Sequence, residues 1–186
     1  MKTNRGFTLI ELIVALAIMA IVGVTVEGIF SSSINSYKKD NSNWRIQQDA
    51  RHAMDEIQME VKMSSPDMVS VVDLKEDGLQ KSILEIRKKE SNTEYTCVTV
   101  KWVYDSQSKK ILSRIKYSET YDNKGKLVSK YEKGRNKIIN NIDDILFEYK
   151  YPETGDSILT INIRTKDDDA GTSFNMLQAV YPRLEN

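Results

Sequence analysis

In 186 residues the sequence holds a single cysteine, Cys97, and a single histidine, His52. One thiol excludes an intrachain disulfide, so an oxidising compartment is neither required nor ruled out. One histidine and one cysteine also leave too few ligands for most zinc sites and too few rings for histidine-based triads. Charge of one sign is missing too. Lys and Arg number 27, Asp and Glu 27, and the formal net charge is zero. The chain as a whole therefore has no drive toward nucleic acid or anionic membrane. Charged residues make up 29% and hydrophobic ones 40%, as in a folded soluble domain. With the apolar N-terminal segment set aside, one domain of ordinary size remains.

What the sequence does have is a long apolar run. Phe7 to Phe30 carries only two charges, Glu11 and Glu27. As a helix it would be about 36 Å long, enough for a hydrocarbon core of about 30 Å. Lys2 and Arg5 precede it with no acid, which predicts Met1 in the cytoplasm and the rest of the chain outside. Three readings compete for this segment. A cleaved secretory signal fits the basic start, but the run is too long, Glu11 would spoil its centre, and GIFSSS is a poor cleavage site. A plain signal anchor fits the length and gives no reason for Glu11 or Gly6. In the third reading MKTNRG is a short basic leader. A cut between Gly6 and Phe7 then leaves the apolar helix on the mature chain.

The stretch Gly6-Phe7-Thr8-Leu9-Ile10-Glu11-Leu12, with its basic leader and apolar tail, resembles the processing signal of type IV prepilins and of type II secretion pseudopilins. The resemblance implies that a membrane prepilin peptidase cuts after Gly6 on the cytoplasmic face and methylates the new amine of Phe7. It also implies that Glu11 pairs with the Phe7 amine of a neighbouring subunit during assembly. Physical chemistry agrees with such a pair. The amine would sit at a helix N-terminus with Glu11 one turn along, and two charges in a low-dielectric bundle are tolerated only together. Glu27 reads as the outer membrane interface.

Helical character is predicted to continue. Ala50, Met54, Ile57 and Val61 form one apolar stripe, with Gln47, Gln48, Arg51, Asp55 and Glu56 on the other side. Ser64-Ser65-Pro66 ends the helix. The poor helix formers KKDNSN at 38–43 predict a bend or short break. Beyond Pro66 the period becomes alternating, with strands expected at Met68–Leu74, Ile83–Lys88, Tyr95–Tyr104, Ile111–Tyr117, Leu127–Glu132, Ile145–Tyr151, Ile158–Arg164 and Asn175–Val180. The expected domains are a leader at 1–6, a membrane or filament-core half of the helix at 7–30, an amphipathic half at 31–64 and a β-rich domain at 65–186. The fold class is α+β and pilin-like, a long N-terminal helix packed on an antiparallel sheet domain.

QQDARHAMDEIQMEVKMSS, WVYDSQSKKILSRI, IDDILFEYKY and a last strand running into Arg183 resemble, in that order, the W-type minor pilins and J-type pseudopilins. The resemblance implies a minor subunit at or near a filament tip. Its implied partners are other major and minor pilins or pseudopilins, the prepilin peptidase, an inner-membrane assembly platform, and membrane lipid before assembly. The implied location is a single pass of the inner membrane, then an extracellular or periplasmic filament.

Further candidates are weighed against blander readings. Asp167-Asp168-Asp169-Ala170-Gly171 lacks the alternating acids of a calcium loop and reads as a solvated hairpin turn. His52 reads as a surface or packing residue. Lys101 to Lys137 carries 11 Lys/Arg against 4 Asp/Glu, whereas Asn140 to Asn186 carries 4 against 9. Tyrosines interleave the basic part, so Lys109, Lys110, Arg114, Lys116, Lys126 and Lys130 are candidate contacts for single-stranded DNA, and the rival reading is a DNA-binding or adhesive minor subunit of a competence filament. The alternative is that basic and acidic strands pair within one sheet, or face neighbouring subunits. No catalytic constellation, metal site or cofactor is expected, and a Cys97–His52 pair has nothing to support it.

Overall fold

The computed structural model describes residues 8–76, 79–104, 109–150 and 157–183. Two compact units, Met1–Asn41 and Ser42–Asn186, divide the chain. The first consists of the N-terminal part of a single helix, α1 (Leu9–Lys62). Every residue from Leu9 to Phe30 is exposed, including Leu9, Ile13, Ile18, Val24 and Phe30. A helix that is apolar on all sides and buries none of them belongs in lipid or in a bundle of other helices. It is the one described helix long and apolar enough to cross a membrane.

The second unit begins with the rest of α1 and continues through eight strands. These are β1 (Val69–Glu76), β2 (Leu79–Lys89), β3 (Glu94–Tyr104), β4 (Lys110–Tyr121), β5 (Leu127–Ile139), β6 (Ile142–Lys150), β7 (Ile158–Asp167) and β8 (Thr172–Val180). Each expected strand is present, most of them longer by a few residues. They form two sheets, ordered β1-β2-β3-β4-β5 and β6-β7-β8, with every pairing antiparallel. The helical stripe lies where its period places it: Ala50, Met54, Ile57 and Val61 are fully buried, joined by Ile46 and Ala53. One apolar core unites this stripe with Leu84, Val100 and Leu112 of the larger sheet and with Ile145, Leu159 and Ile161 of the smaller one. Ser82 stitches the sheets together. Its hydroxyl donates to the carbonyl of Phe147 at 3.3 Å and accepts from the Phe147 N–H at 3.1 Å.

Two expectations need correction. No break interrupts α1 at 38–43. The propensity cost there is only a few tenths of a kcal/mol per residue, and Ser42 is buried with its hydroxyl 2.6 Å from Asp167 and 2.9 Å from Thr172. Nor do the basic and acidic strands pair with one another. β4 and β5 lie in the five-stranded sheet, and the acidic C-terminal strands form the other.

The helix does end where Pro66 requires. Ser64 turns back with its hydroxyl on the Glu60 carbonyl at 2.7 Å, and Pro66–Met68 forms a short 3-10 turn into β1. The N–H of Arg183 donates to the Ser64 carbonyl at 3.1 Å, fixing the chain beyond β8 to the helix end.

Candidate functional site

Gly6 and Phe7 lie outside the described residues. The described part of the N-terminal motif starts at Thr8, and its geometry is specific. The Thr8 N–H and the Thr8 hydroxyl both donate to Oε2 of Glu11 at 2.9 Å, while the Glu11 N–H donates to the Thr8 hydroxyl at 3.4 Å. This reciprocal arrangement is a capping box, in which residues three apart satisfy each other's unpaired backbone donors at a helix start. Oε1 of Glu11 has no partner among the described residues. The carboxylate thus closes the helix N-terminus with one oxygen and leaves the other available. Thr8 is the residue that the sequence reading passed over. The T-x-x-E spacing ahead of an apolar run was the signal that could have found it.

Past Thr8, the described surface beside Glu11 is apolar. Ile10, Val14, Ala15 and Ile18 flank it in a shallow groove. A lone carboxylate on such a surface can meet a cationic group only from another molecule or from the chain's own N-terminus, and the leader would have to be removed to supply an amine at Phe7.

The other candidates distribute as follows. His52 is exposed on α1. Cys97 is buried on β3, where burial pushes its thiol pKa up. It alternates with Val98, which belongs to the core under the helix, so Cys97 faces the other side of the sheet and does not meet His52. The six candidate DNA contacts do not converge. Arg114 forms an ion pair with Glu60 of α1. Lys130 pairs with Glu119 at 2.7 Å, and Lys110 donates to the Asp143 carbonyl at 2.8 Å. Lys109, Lys116 and Lys126 are exposed. By strand alternation Arg114 and Lys116 share a face of β4 that Glu119, the partner of Lys130, does not share.

The acidic run at 167–171 makes the expected turn between β7 and β8, with Gly171 at φ 63°. Asp167 departs from expectation because it is not solvated. It is buried, accepts from Ser42, and pairs with Arg45 of α1. Its second oxygen takes the backbone N–H groups of Asp169 and Ala170 at 3.1 and 3.4 Å. The Ser42 hydrogen bond is the main cause holding its carboxyl below the usual aspartate range, with the turn N–H and Arg45 adding to it against the cost of burial. A depressed pKa stabilises the fold above the usual aspartate range, and that contribution is lost as pH falls through the folded value. Asp167→Ala is expected to cost about 2 kcal/mol at neutral pH, because it removes the acceptor shared by the Ser42 hydroxyl, Arg45 and the turn N–H groups. Its stability should fall less on acidification than that of the parent. Parallel acid profiles for the two in thermal unfolding would contradict this role.

Comparison with known proteins returns one finding for this chain. Residues 1–26 match the family model of the prokaryotic N-terminal methylation motif. No curated protein and no solved structure matches the chain. The match supports a type IV prepilin-like family, and the motif fits a type IV pilin-like subunit. The long helix on antiparallel sheets is a pilin-like α+β arrangement.

Proposed function

We propose that the chain is a minor pilin or pseudopilin, a structural subunit carried at or near the tip of a type IV pilus-like filament. It is made as a single-pass membrane precursor with Met1 inside, cut between Gly6 and Phe7, and methylated on the Phe7 amine. The subunit then leaves the membrane for the filament. The observation that carries the reading is the Leu9–Phe30 surface, apolar on every side and exposed throughout, with a single capped carboxylate at its start. Lipid satisfies that surface before assembly and neighbouring helices satisfy it afterwards. Close packing and polar pairing drive such helix association. Glu11 supplies the polar pair by meeting the Phe7 amine of the adjacent subunit.

This role is structural, and no catalytic group is assigned. The β unit faces outward and meets other minor subunits. The uncommitted side of α1 around Trp44, Gln48 and Arg51 is one face available for such a contact.

Gly6→Val tests the processing step, because a peptidase site shaped for glycine would meet a branched side chain there. The variant should accumulate as the uncut precursor in the membrane and be absent from sheared filament fractions by immunoblot. A Gly6→Val chain that matures and enters filaments normally would overturn the proposed cut.

A further inference from the structure

A cleft of about 600 Å³ opens at one end of the five-stranded sheet. It lies where the β2–β3 turn at 90–93 meets the β4–β5 turn at 122–126, side by side because β3 and β4 are neighbours. The Tyr121 N–H donates to the Thr93 carbonyl at 2.7 Å, tying one turn to the other. Asp122 stiffens the second turn by accepting from the N–H groups of Lys124 and Lys126 at 2.8 and 2.9 Å. Gly125, at φ 77°, takes the left-handed position there. The walls are therefore fixed before any ligand arrives, which lowers the ordering cost of binding.

The lining combines aromatic rings with planar polar groups. Tyr95 and Tyr121 form an edge-to-face pair with centroids 5.3 Å apart, and the half-exposed Arg87 and the exposed amides of Asn92 and Asn123 complete it. Glu119, directly across from Tyr95 in the β3–β4 register, is only 1% exposed. It accepts from the Tyr121 hydroxyl at 2.9 Å, pairs with Lys130 at 2.7 Å and lies 3.4 Å from the Arg87 guanidinium. Burial pushes the Glu119 carboxyl up, but the Lys130 and Tyr121 hydrogen bonds outweigh it and hold the group below the usual carboxylate range. Glu119 is therefore charged. Glu85 engages Arg87 as well, at 3.4 Å.

This charge balance decides the ligand class. Of the lining residues only Arg87 and Asp122 are charged, and Arg87 is already answered by Glu119 and Glu85, so the lining carries no surplus positive charge for phosphate or nucleic acid. A tyrosine ring face beside fork-shaped donors and amides suits a ring with an apolar face and a rim of hydroxyls. We propose that this cleft binds a short neutral oligosaccharide, one sugar ring lying on the face of one tyrosine of the Tyr95–Tyr121 pair with its hydroxyls bonded by Arg87, Asn92 and Asn123. The site is independent of the filament role and stands or falls separately.

The test is an NMR titration of the full chain, held in a detergent without sugar headgroups, with cellotriose and with chitotriose. At least one should give saturable shifts of the tyrosine ring signals with a dissociation constant of roughly 1 mM. Tyr95→Ala should weaken binding by about tenfold. Asn123→Ala, an exposed turn change that leaves the sheet intact, should weaken it by about threefold. Inorganic phosphate should not compete. No saturable shift with either sugar at about 20 mM, displacement by phosphate, or indifference to both substitutions would overturn the proposal.

Discussion

Glu11→Gln is expected to insert in the membrane and fold normally, yet to enter filaments as poorly as Glu11→Ala. The glutamine variant separates two roles that the geometry combines. A capping box accepts Gln as well as Glu at its third helical position, so Glu11→Gln keeps the bonds to Thr8 and loses only the charge. Glu11→Ala loses both. Leaving an amine unpaired in a low-dielectric bundle costs about 3–5 kcal/mol, equivalent to a hundredfold or more in association. Losing a cap costs about 1 kcal/mol. Thr8→Ala, which removes the cap and keeps the charge, should therefore reduce incorporation far less than either Glu11 variant. Quantifying each in sheared filaments against its membrane pool gives the comparison. Normal incorporation of Glu11→Gln would reduce Glu11 to a helix cap and remove the proposed docking pair.

The largest effect on stability is expected at Ile57. It is fully buried in the core that joins α1 to both sheets. Truncation to Ala removes three heavy atoms where helix and sheets cannot all close in. The expected loss is about 3–4 kcal/mol, or about 6–15 °C in the unfolding midpoint of a chain this size. Gln48→Ala, exposed on the opposite side of the same helix, should change stability by about 0.5 kcal/mol or less. Thermal unfolding of the full chain in mild detergent measures both. Equal, small effects would mean that the stripe does not anchor the helix.

The contrast between Ile57 and Gln48 also shows what the sequence could reveal. A helical stripe and an alternating strand are local patterns, repeating every three to four residues or every two, so Ala50, Met54, Ile57, Val61 and all eight strands could be read from neighbouring residues alone. The split into two sheets could not be read that way, because it depends on which strands meet across long separations. Asp167 misled for the same reason. Its neighbours Asp168 and Asp169 mark a solvated turn, but its own partners are Ser42 and Arg45, more than a hundred residues earlier. Glu119 likewise acquires its burial and its two cations from β2 and β5. Helix continuity at 38–43 was hidden because propensity is a weak, local bias that the tertiary bonds of Ser42 can override. At the N-terminus the opposite held. The Gly6–Leu12 motif is a run of adjacent residues and is legible as such, whereas the capping bonds between Thr8 and Glu11 lay outside what was expected of it.

The central claim is that this chain is matured as a prepilin, and mass spectrometry of its N-terminus from native cells tests it most directly. The mature chain should begin at Phe7 and carry one methyl group on its amine, which places a cationic partner one turn from the Glu11 of a neighbour. A chain that still begins at Met1, or one cut beyond Phe30, would leave Glu11 with no such amine to meet and would contradict the assignment.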